Sequence, residues 1–559
     1  MLTPPSFAKN LADEATVDGS VELYDTTLRD GAQTHGIQFT AQDKIAIVSL
    51  LDEFALDYIE LGWPGANPID DEVFAFFATR PLQHAKLVAF GATCKPGQSP
   101  ESSPLMQALV QSSVERVTLV AKTSRCHIEQ VLECSLEDNY QAIYQSVKFL
   151  RAHGKQVWID AEHFFDGYKE APSVTAACLQ AAVAAGAEGV ALCDTNGGTL
   201  PEEIKTITRW VVDSFNLPVA IHAHNDCELA VANALAAVAV GAKVVQGCIN
   251  GYGERCGNTN LTSLMGVLGF KTPYRFAARE NLAHLTKLAH AIATRANSTL
   301  NGYAPFVGSS AFAHKAGLHA SAVAKFSASY EHIQPSAVGN QRKILVSNQA
   351  GRSNLKFKLQ QLALDNSDLT QALSLVKQQE AKGFQYEEAD ASLAVLMLRQ
   401  REDYQPPFVI EELIENTVAR RGQVNLHHVS LKVRTGANNS WVACEAQGPV
   451  EAIDRALRQA LTSHWPLIET VELVDYKVRI LNPESATAAT THVWIATRLG
   501  DQVWYTVGCS SSIFAASLQA LCDAIEFCIA RSEFSQWGSY FSSSKQRENK
   551  EKNHGHQAA

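Results

Sequence analysis

The chain is short of positive charge. Its 47 lysines and arginines are outnumbered by 58 aspartates and glutamates, leaving a net charge of −11. A nucleic-acid surface needs a basic face to neutralise phosphate, so DNA or RNA is excluded as the main partner. A small anionic substrate is not excluded, because one metal ion or one arginine reverses the field locally. No apolar run reaches the ~18 residues of a membrane span, and no membrane partner is expected. The first 20 residues lack the basic start and apolar core of a signal peptide, and Asp13, Glu14 and Asp18 are wrong for an organelle transit peptide. The 12 cysteines form no C-x-x-C pair and no zinc-like spacing. A chain of this length builds a core without disulfides, so reduced thiols in the cytoplasm are the expectation.

What is present is a globular composition, 46% apolar and 19% charged, over 559 residues, enough for two or three domains. From Val21 to about Phe270, short apolar runs ending in polar residues or glycine alternate with helical stretches. The runs are Val21–Asp25, Tyr58–Gly62, Leu87–Gly91, Arg116–Ala121, Gln156–Ala161, Gly189–Cys193, Val219–Ala223 and Val244–Cys248. The helical stretches include Thr40–Leu56, Ser173–Ala185, Glu202–Phe215 and Glu228–Val240, with Thr40, Ser173 and Asp226 as capping residues. Eight strands alternating with helices predict an α/β fold, a (β/α)8 barrel. A doubly wound sheet is the rival, but no G-x-G-x-x-G follows the first strand.

Beyond the barrel the pattern turns helical, with Asn281–Asn297 and Leu369–Gln379 as helices, until Pro406-Pro407 marks a boundary. Strands then alternate at Leu426–Arg434, Trp441–Gln447, Val471–Ile480, Thr491–Leu499 and Val503–Val507. Helices at Val450–His464 and Ile513–Ile529 interrupt them, which predicts a small α+β domain with weak internal repetition. The expected layout is an N-terminal extension at 1–20, the barrel at 21–278, a mostly helical linker at 279–404, the α+β domain at 405–535 and a disordered polar tail at 536–559.

A barrel places its chemistry at the C-terminal ends of its strands. There the sequence puts Asp25 to Gln33 after strand one, Asp160 to His163 after strand five, and Cys193 to Gly198 after strand six. His222 to Asp226 follow strand seven, and Gly251 to Asn258 follow strand eight. His222 and His224 are two apart on a strand, so both imidazoles point to one face. Paired with a carboxylate from Asp30 and the amide oxygen of Asn258, they form a mixed N/O set for a divalent metal. Such a set suits Mg2+ or Mn2+ and does not exclude Zn2+. Isolated, an H-x-H pair is more often a hydrogen-bonded rim. Barrel closure, which brings Asp30 after strand one to within one strand of strand seven, favours the metal.

The runs DTTLRDGAQ, DAEHFFDGYKE, LCDTNGGTLP, HAHND, GYGERCGN and SAFAHKAGLHASA resemble the DRE-TIM metallolyase superfamily, in its isopropylmalate, homocitrate and citramalate synthase branch. WPGANP at Trp63–Pro68, VGNQR at Val338–Arg342 and DYKVRI at Asp475–Ile480 extend the likeness over roughly residues 20–530, and the extended matches, especially WPGANP, DAEHFFDGYK and DYKVRILN, look most like the citramalate group of that branch. The resemblance implies a metal on Asp30, His222, His224 and Asn258, Arg29 beside the ketone oxygen of a 2-oxo acid, and Thr195 on its carboxylate. It implies Glu162 and His319 as proton-transfer groups, His319 reaching in from the helical segment, with Gln33 and Tyr330 in support. It also implies acetyl-CoA and pyruvate as substrates, a C-terminal regulatory domain, a homodimer and feedback inhibition by isoleucine. A relative acting on a larger 2-oxo acid is the near alternative, since one methylene changes selectivity by only about 1–3 kcal/mol. A barrel kept for binding without catalysis is the distant one. Two stretches depart from the family: Lys122 to His127 replaces a tryptophan-containing run, and Glu228 stands where many members carry glycine.

Overall fold

The computed structural model describes residues 19–346, 351–362, 364, 369–419 and 425–533. The 536–559 tail and nearly all of the N-terminal extension therefore lie outside the described residues. Contacts divide the chain into two compact units. One comprises residues 1–312 and 333–341, the other residues 313–332 and 342–559.

The first unit is a closed eight-stranded parallel barrel in the order β1 to β8. Its strands are β1 (Glu22–Asp25), β2 (Tyr58–Gly62), β3 (Lys86–Ala92), β4 (Arg116–Lys122), β5 (Gln156–Glu162), β6 (Gly189–Asp194), β7 (Val219–Ala223) and β8 (Val244–Gly247). Each lies within a residue or so of its expected run. Closure is explicit in the register, where Tyr24 of β1 faces Tyr58 of β2 on one side and Gln246 of β8 on the other. The principal helices between them are α1 (Ala41–Glu53), α2 (Pro68–Phe77), α3 (Pro104–Gln111), α4 (Leu136–Ala152), α5 (Pro172–Ala184), α6 (Pro201–Ser214), α7 (Ala230–Val238) and α8 (Leu261–Lys271).

Thr40 caps α1 as expected, exchanging bonds with Asp43 in a capping box. The other two expected caps are corrected. Proline at the first turn of α5 moves its cap to Ala171, and Asp226 spends its carboxylate on Arg255 while Leu229 precedes α7. The expected helix at Asn281–Asn297 is split into a 3-10 segment, Ala277–His284, and an α-helix, α9 (Leu285–Arg295).

The barrel interior is packed. Tyr24, Tyr58, Val88, Trp158, Ala191, Ala220 and Val244 form one inner cluster. Large rings from some strands meet alanines from others. A Cβ at Gly189 would lie 2.4 Å from the Trp158 ring, so glycine there is what admits the indole.

The second unit contains helices and two similar sheets. Helices α10 (Gly317–Lys325), α11 (Arg352–Gln361), α12 (Leu369–Ala381) and α13 (Asp390–Leu398) precede β11 (Val409–Val418), β12 (Leu426–Thr435), β13 (Asn438–Ala446) and α14 (Pro449–Leu461). The pattern then repeats as β14 (Glu472–Ile480), β15 (Thr491–Leu499), β16 (Gln502–Ser510) and α15 (Ile513–Glu533). A short parallel pair, β9 (Ala313–His314) and β10 (Lys343–Ile344), stands near its start. The strand β11 was not expected. One reading also needs correcting: α15 includes a stretch, Ile513–Ser532, long and apolar enough by composition to cross a membrane. Most of that stretch is buried, Ala516, Ala520 and Ile525 packing with Leu431 and Ile495, so it is a core helix.

Candidate active site

At the C-terminal mouth of the barrel, β1 runs into a turn carrying Arg29 and Asp30, and β7 carries His222 as its penultimate residue with His224 just beyond its end. Loop eight folds back along the continuation of β7. Thr259 N–H donates to Ala223 O at 2.9 Å and Asn225 N–H to Gly257 O at 2.9 Å, which sets Asn258 opposite His224. Gly257 makes that return possible, with φ +92° and a Cβ position 2.0 Å from Gly251 O. One guanidinium ties three loops: Arg255 binds Asp226 through both carboxylate oxygens, at 2.8 and 2.9 Å, and donates to Thr195 O at 2.7 Å.

Ligand atoms of Asp30, His222 and His224 lie within 4.8 Å of one another, and all three residues are buried. The two imidazole Nε2 atoms are 3.3 Å apart, and Asp30 Oδ2 is 3.6 Å from His222 Nε2. Asp30 Oδ1 and Asn258 Oδ1 are buried without a protein partner, while Asn258 turns its amide nitrogen to Cys248 Sγ. Buried acceptors are costly to leave unpaired, so converging lone pairs fit a cation between them. Charge states agree. Burial, helped by His222, holds His224 down at about 4, leaving it neutral as a ligand must be. Burial alone would raise Asp30, but Arg29 and the imidazoles outweigh it and hold the carboxyl at about 2. Burial lifts the inner carboxyls the other way, Asp25 to about 7 and Asp160 to about 6.

Arg29 is clamped from three sides. Its Nε meets Glu60 Oε1 at 2.5 Å, its Nη1 meets Asp30 Oδ2 at 3.2 Å, and its guanidinium lies over the Phe90 ring at 3.7 Å. Glu60 is fully buried and takes a second bond, 2.6 Å, from Tyr24 OH. Glu162 pairs with Lys122 from the adjacent strand end. Thr195 Oγ1 accepts from His163 N–H at 2.8 Å, and the His163 ring lies 3.7 Å from the His127 ring, tilted by 32°. Gln33 is exposed beside Arg29 and Trp63 in a cleft of about 350 Å³. His319 and Tyr330 belong to the second unit, where their rings stack 4.0 Å apart. Near them in the chain, Glu331 takes two bonds from Arg342, at 2.6 and 2.5 Å, and one contact from His314 at 3.1 Å.

Residues 20–292 match the HMGL-like family, residues 306–383 the homocitrate synthase post-HMGL domain-like family, and residues 387–529 the LeuA allosteric (dimerisation) domain. The (R)-citramalate synthase of Synechocystis is 43% identical over 92% of this chain and 97% of its own. That of Aquifex aeolicus is 42% identical over 92% and 98%. The chain belongs to the (R)-citramalate synthase family. A probable 2-isopropylmalate synthase of Methanopyrus kandleri is more distant, 31% identical over 89% of this chain and 96% of its own.

As a citramalate synthase family member the chain is an acyltransferase, and its barrel mouth holds side chains that strand-end reading passed over. Glu60 lies mid-strand in Tyr-Ile-Glu-Leu-Gly, a polar residue inside a wholly buried strand, and that position was its only signal. Lys122 was quoted only as a departure from the family pattern, yet it partners Glu162. The other departure, Glu228, has φ +59°, a left-handed conformation that glycine enters freely and glutamate does not.

Proposed function

We propose that the barrel mouth condenses acetyl-CoA with pyruvate and hydrolyses the thioester, releasing (R)-citramalate and CoA. The observation that carries this reading is the convergence of Asp30, His222, His224 and Asn258 beside a clamped Arg29, in a chain whose family likeness extends over 92% of its length. Those four residues would hold a divalent ion, Mg2+ or Mn2+ with Zn2+ as a further candidate, which would supply Lewis-acid polarisation to the keto group of a 2-oxo acid.

The chain's own groups supply the rest. Arg29 has its charge fixed by Glu60, and its remaining N–H groups serve the oxygen where alkoxide charge develops. Thr195 offers its hydroxyl to the substrate carboxylate. Glu162 takes a proton from the acetyl methyl group, with Lys122 holding its carboxylate in place. His319 is assigned the second proton transfer by likeness to the family, and Gln33 and Tyr330 are assigned support on the same ground. CoA release from acetyl-CoA, followed with a thiol reagent, tests the reading. It should require pyruvate, stop after chelation and return with Mg2+ or Mn2+. Release that is indifferent to chelation contradicts the metal, and release without a 2-oxo acid contradicts the condensation.

The C-terminal α+β region is proposed as a dimerising, effector-binding domain, with isoleucine as the effector because citramalate leads to that amino acid. The match to the LeuA allosteric (dimerisation) domain supports this. So do Ile414 and Trp441, 43% and 56% exposed, each adjacent in its strand to a residue, Leu413 or Val442, packed against the sheet's core. Alternation puts the two exposed residues on the uncovered face.

A further inference from the structure

A line of buried hydrogen bonds crosses the barrel interior from β5 through β8 to β7. Asp160 Oδ1 accepts from Gln246 Nε2 at 2.9 Å, and Gln246 Oε1 meets His222 Nδ1 at 2.8 Å. Asp160, Gln246 and His222 are 3%, 1% and 4% exposed, so water does not compete for these groups. The register supports the arrangement, since His222 and Gln246 are paired across β7 and β8.

The order of donors and acceptors follows from chemistry. A carboxylate oxygen accepts, so the amide nitrogen of Gln246 is the end that faces Asp160. The carbonyl end then faces His222. An amide oxygen only accepts, so the proton between them sits on His222 Nδ1. A neutral imidazole carries one N–H, which leaves His222 Nε2 as a bare lone pair. That atom is the one directed at Asp30 and at His224 Nε2. With the amide turned over, an N–H would face Nδ1, the proton would move to Nε2, and the nitrogen nearest the carboxylate would be blocked.

We propose that Asp160 and Gln246 form a positioning relay that fixes the tautomer and ring angle of His222 and thereby sets how tightly the barrel mouth holds a divalent cation. The proposal rests on the metal reading of the site above. Neither residue reaches the cation; both act through His222. A histidine ligand oriented by such a partner typically loses about 10–100-fold in metal affinity when the partner is removed.

The test uses the full chain, stripped of metal, with Mn2+ as the probe. Gln246→Leu should weaken Mn2+ binding by about 10–100-fold with an unchanged circular dichroism spectrum. The isosteric exchange Asp160→Asn with Gln246→Glu reverses the first bond and still leaves an acceptor facing His222, so it should restore Mn2+ binding towards the parent value. Histidine-selective 15N NMR of the stripped parent chain should show the proton on His222 Nδ1, a signature that simple polar satisfaction of the core would not rescue or move. The relay is overturned by a proton on Nε2, by a folded Gln246→Leu chain with parental Mn2+ affinity, or by a double variant no better than Gln246→Leu. Should Gln246→Leu fail to fold, the tautomer and the double variant decide. His222→Ala separates the two ideas: if it keeps Mn2+ binding, the ligand set itself is wrong, whereas its loss alongside an unaffected Gln246→Leu removes the relay alone.

Discussion

Two histidines spaced two residues apart at the end of a strand must share a face, and in a barrel that face lines the mouth. This is why His222, His224 and Asp30 are legible as a cluster in the sequence, and the structure brings them together. Asn258 was legible only as an amide on loop eight; its place opposite His224 comes from the return of that loop along β7. Glu60 and Gln246 were not legible as parts of a site, and Asp160 was legible only as a strand-end residue without a role. A polar residue inside a strand buried on both faces reveals neither its direction nor its partner on another strand. Changes to the proposed ligands should be severe. His222→Ala, His224→Ala or Asp30→Ala should each abolish tight Mn2+ binding and lower CoA release by orders of magnitude, with the circular dichroism spectrum retained. Near-normal metal content and turnover would remove that residue from the set. Glu162→Gln and His319→Ala should behave differently, lowering kcat by about 10²–10⁴-fold while sparing the pyruvate KM, as befits proton transfer. A rise in KM alone would make either one a binding group.

Among the elements, the eight barrel strands were readable because each is a short apolar run bounded by turn residues. The strand β11 was not, because Glu411, Glu412, Glu415 and Asn416 interrupt its apolar pattern. It is the edge of its sheet, where charge is how edge strands avoid pairing with other chains. Helix α15 presents the opposite case, a sequence apolar enough to mimic a span, with Glu526 buried in it and Asp523 partly buried. Asp523 accepts from Ser392 at 2.7 Å and meets Arg399 at 3.1 Å, yet burial pushes it up to about 7. In the unfolded chain an aspartate titrates near ~3.9, so between about pH 4 and about pH 7 the native state binds the extra proton. Stability contributed by this carboxyl therefore falls as pH rises across that window, by on the order of a few kcal/mol. Asp523→Asn should flatten that part of the pH dependence in urea unfolding. An unchanged slope would mean the carboxyl is ionised throughout.

For the whole molecule, the repeated sheet-and-helix units of the C-terminal region and their exposed apolar face imply assembly. The full chain should sediment at about twice its 60.8 kDa, and Trp441→Glu should shift it towards monomer. A parent chain that sediments as a monomer would remove the dimer, and deletion from residue 405 onward that leaves dimerisation and isoleucine inhibition intact would place both properties elsewhere. The central claim concerns chemistry, and one comparison reaches it most directly: kcat/KM for pyruvate, 2-oxoisovalerate and 2-oxoglutarate on the same metal-loaded preparation, with the condensation product identified by NMR. Pyruvate should be preferred and the product should be citramalate. A clear preference for 2-oxoisovalerate, with isopropylmalate as product, would contradict the substrate assignment while leaving the family and its metal-centred condensation in place.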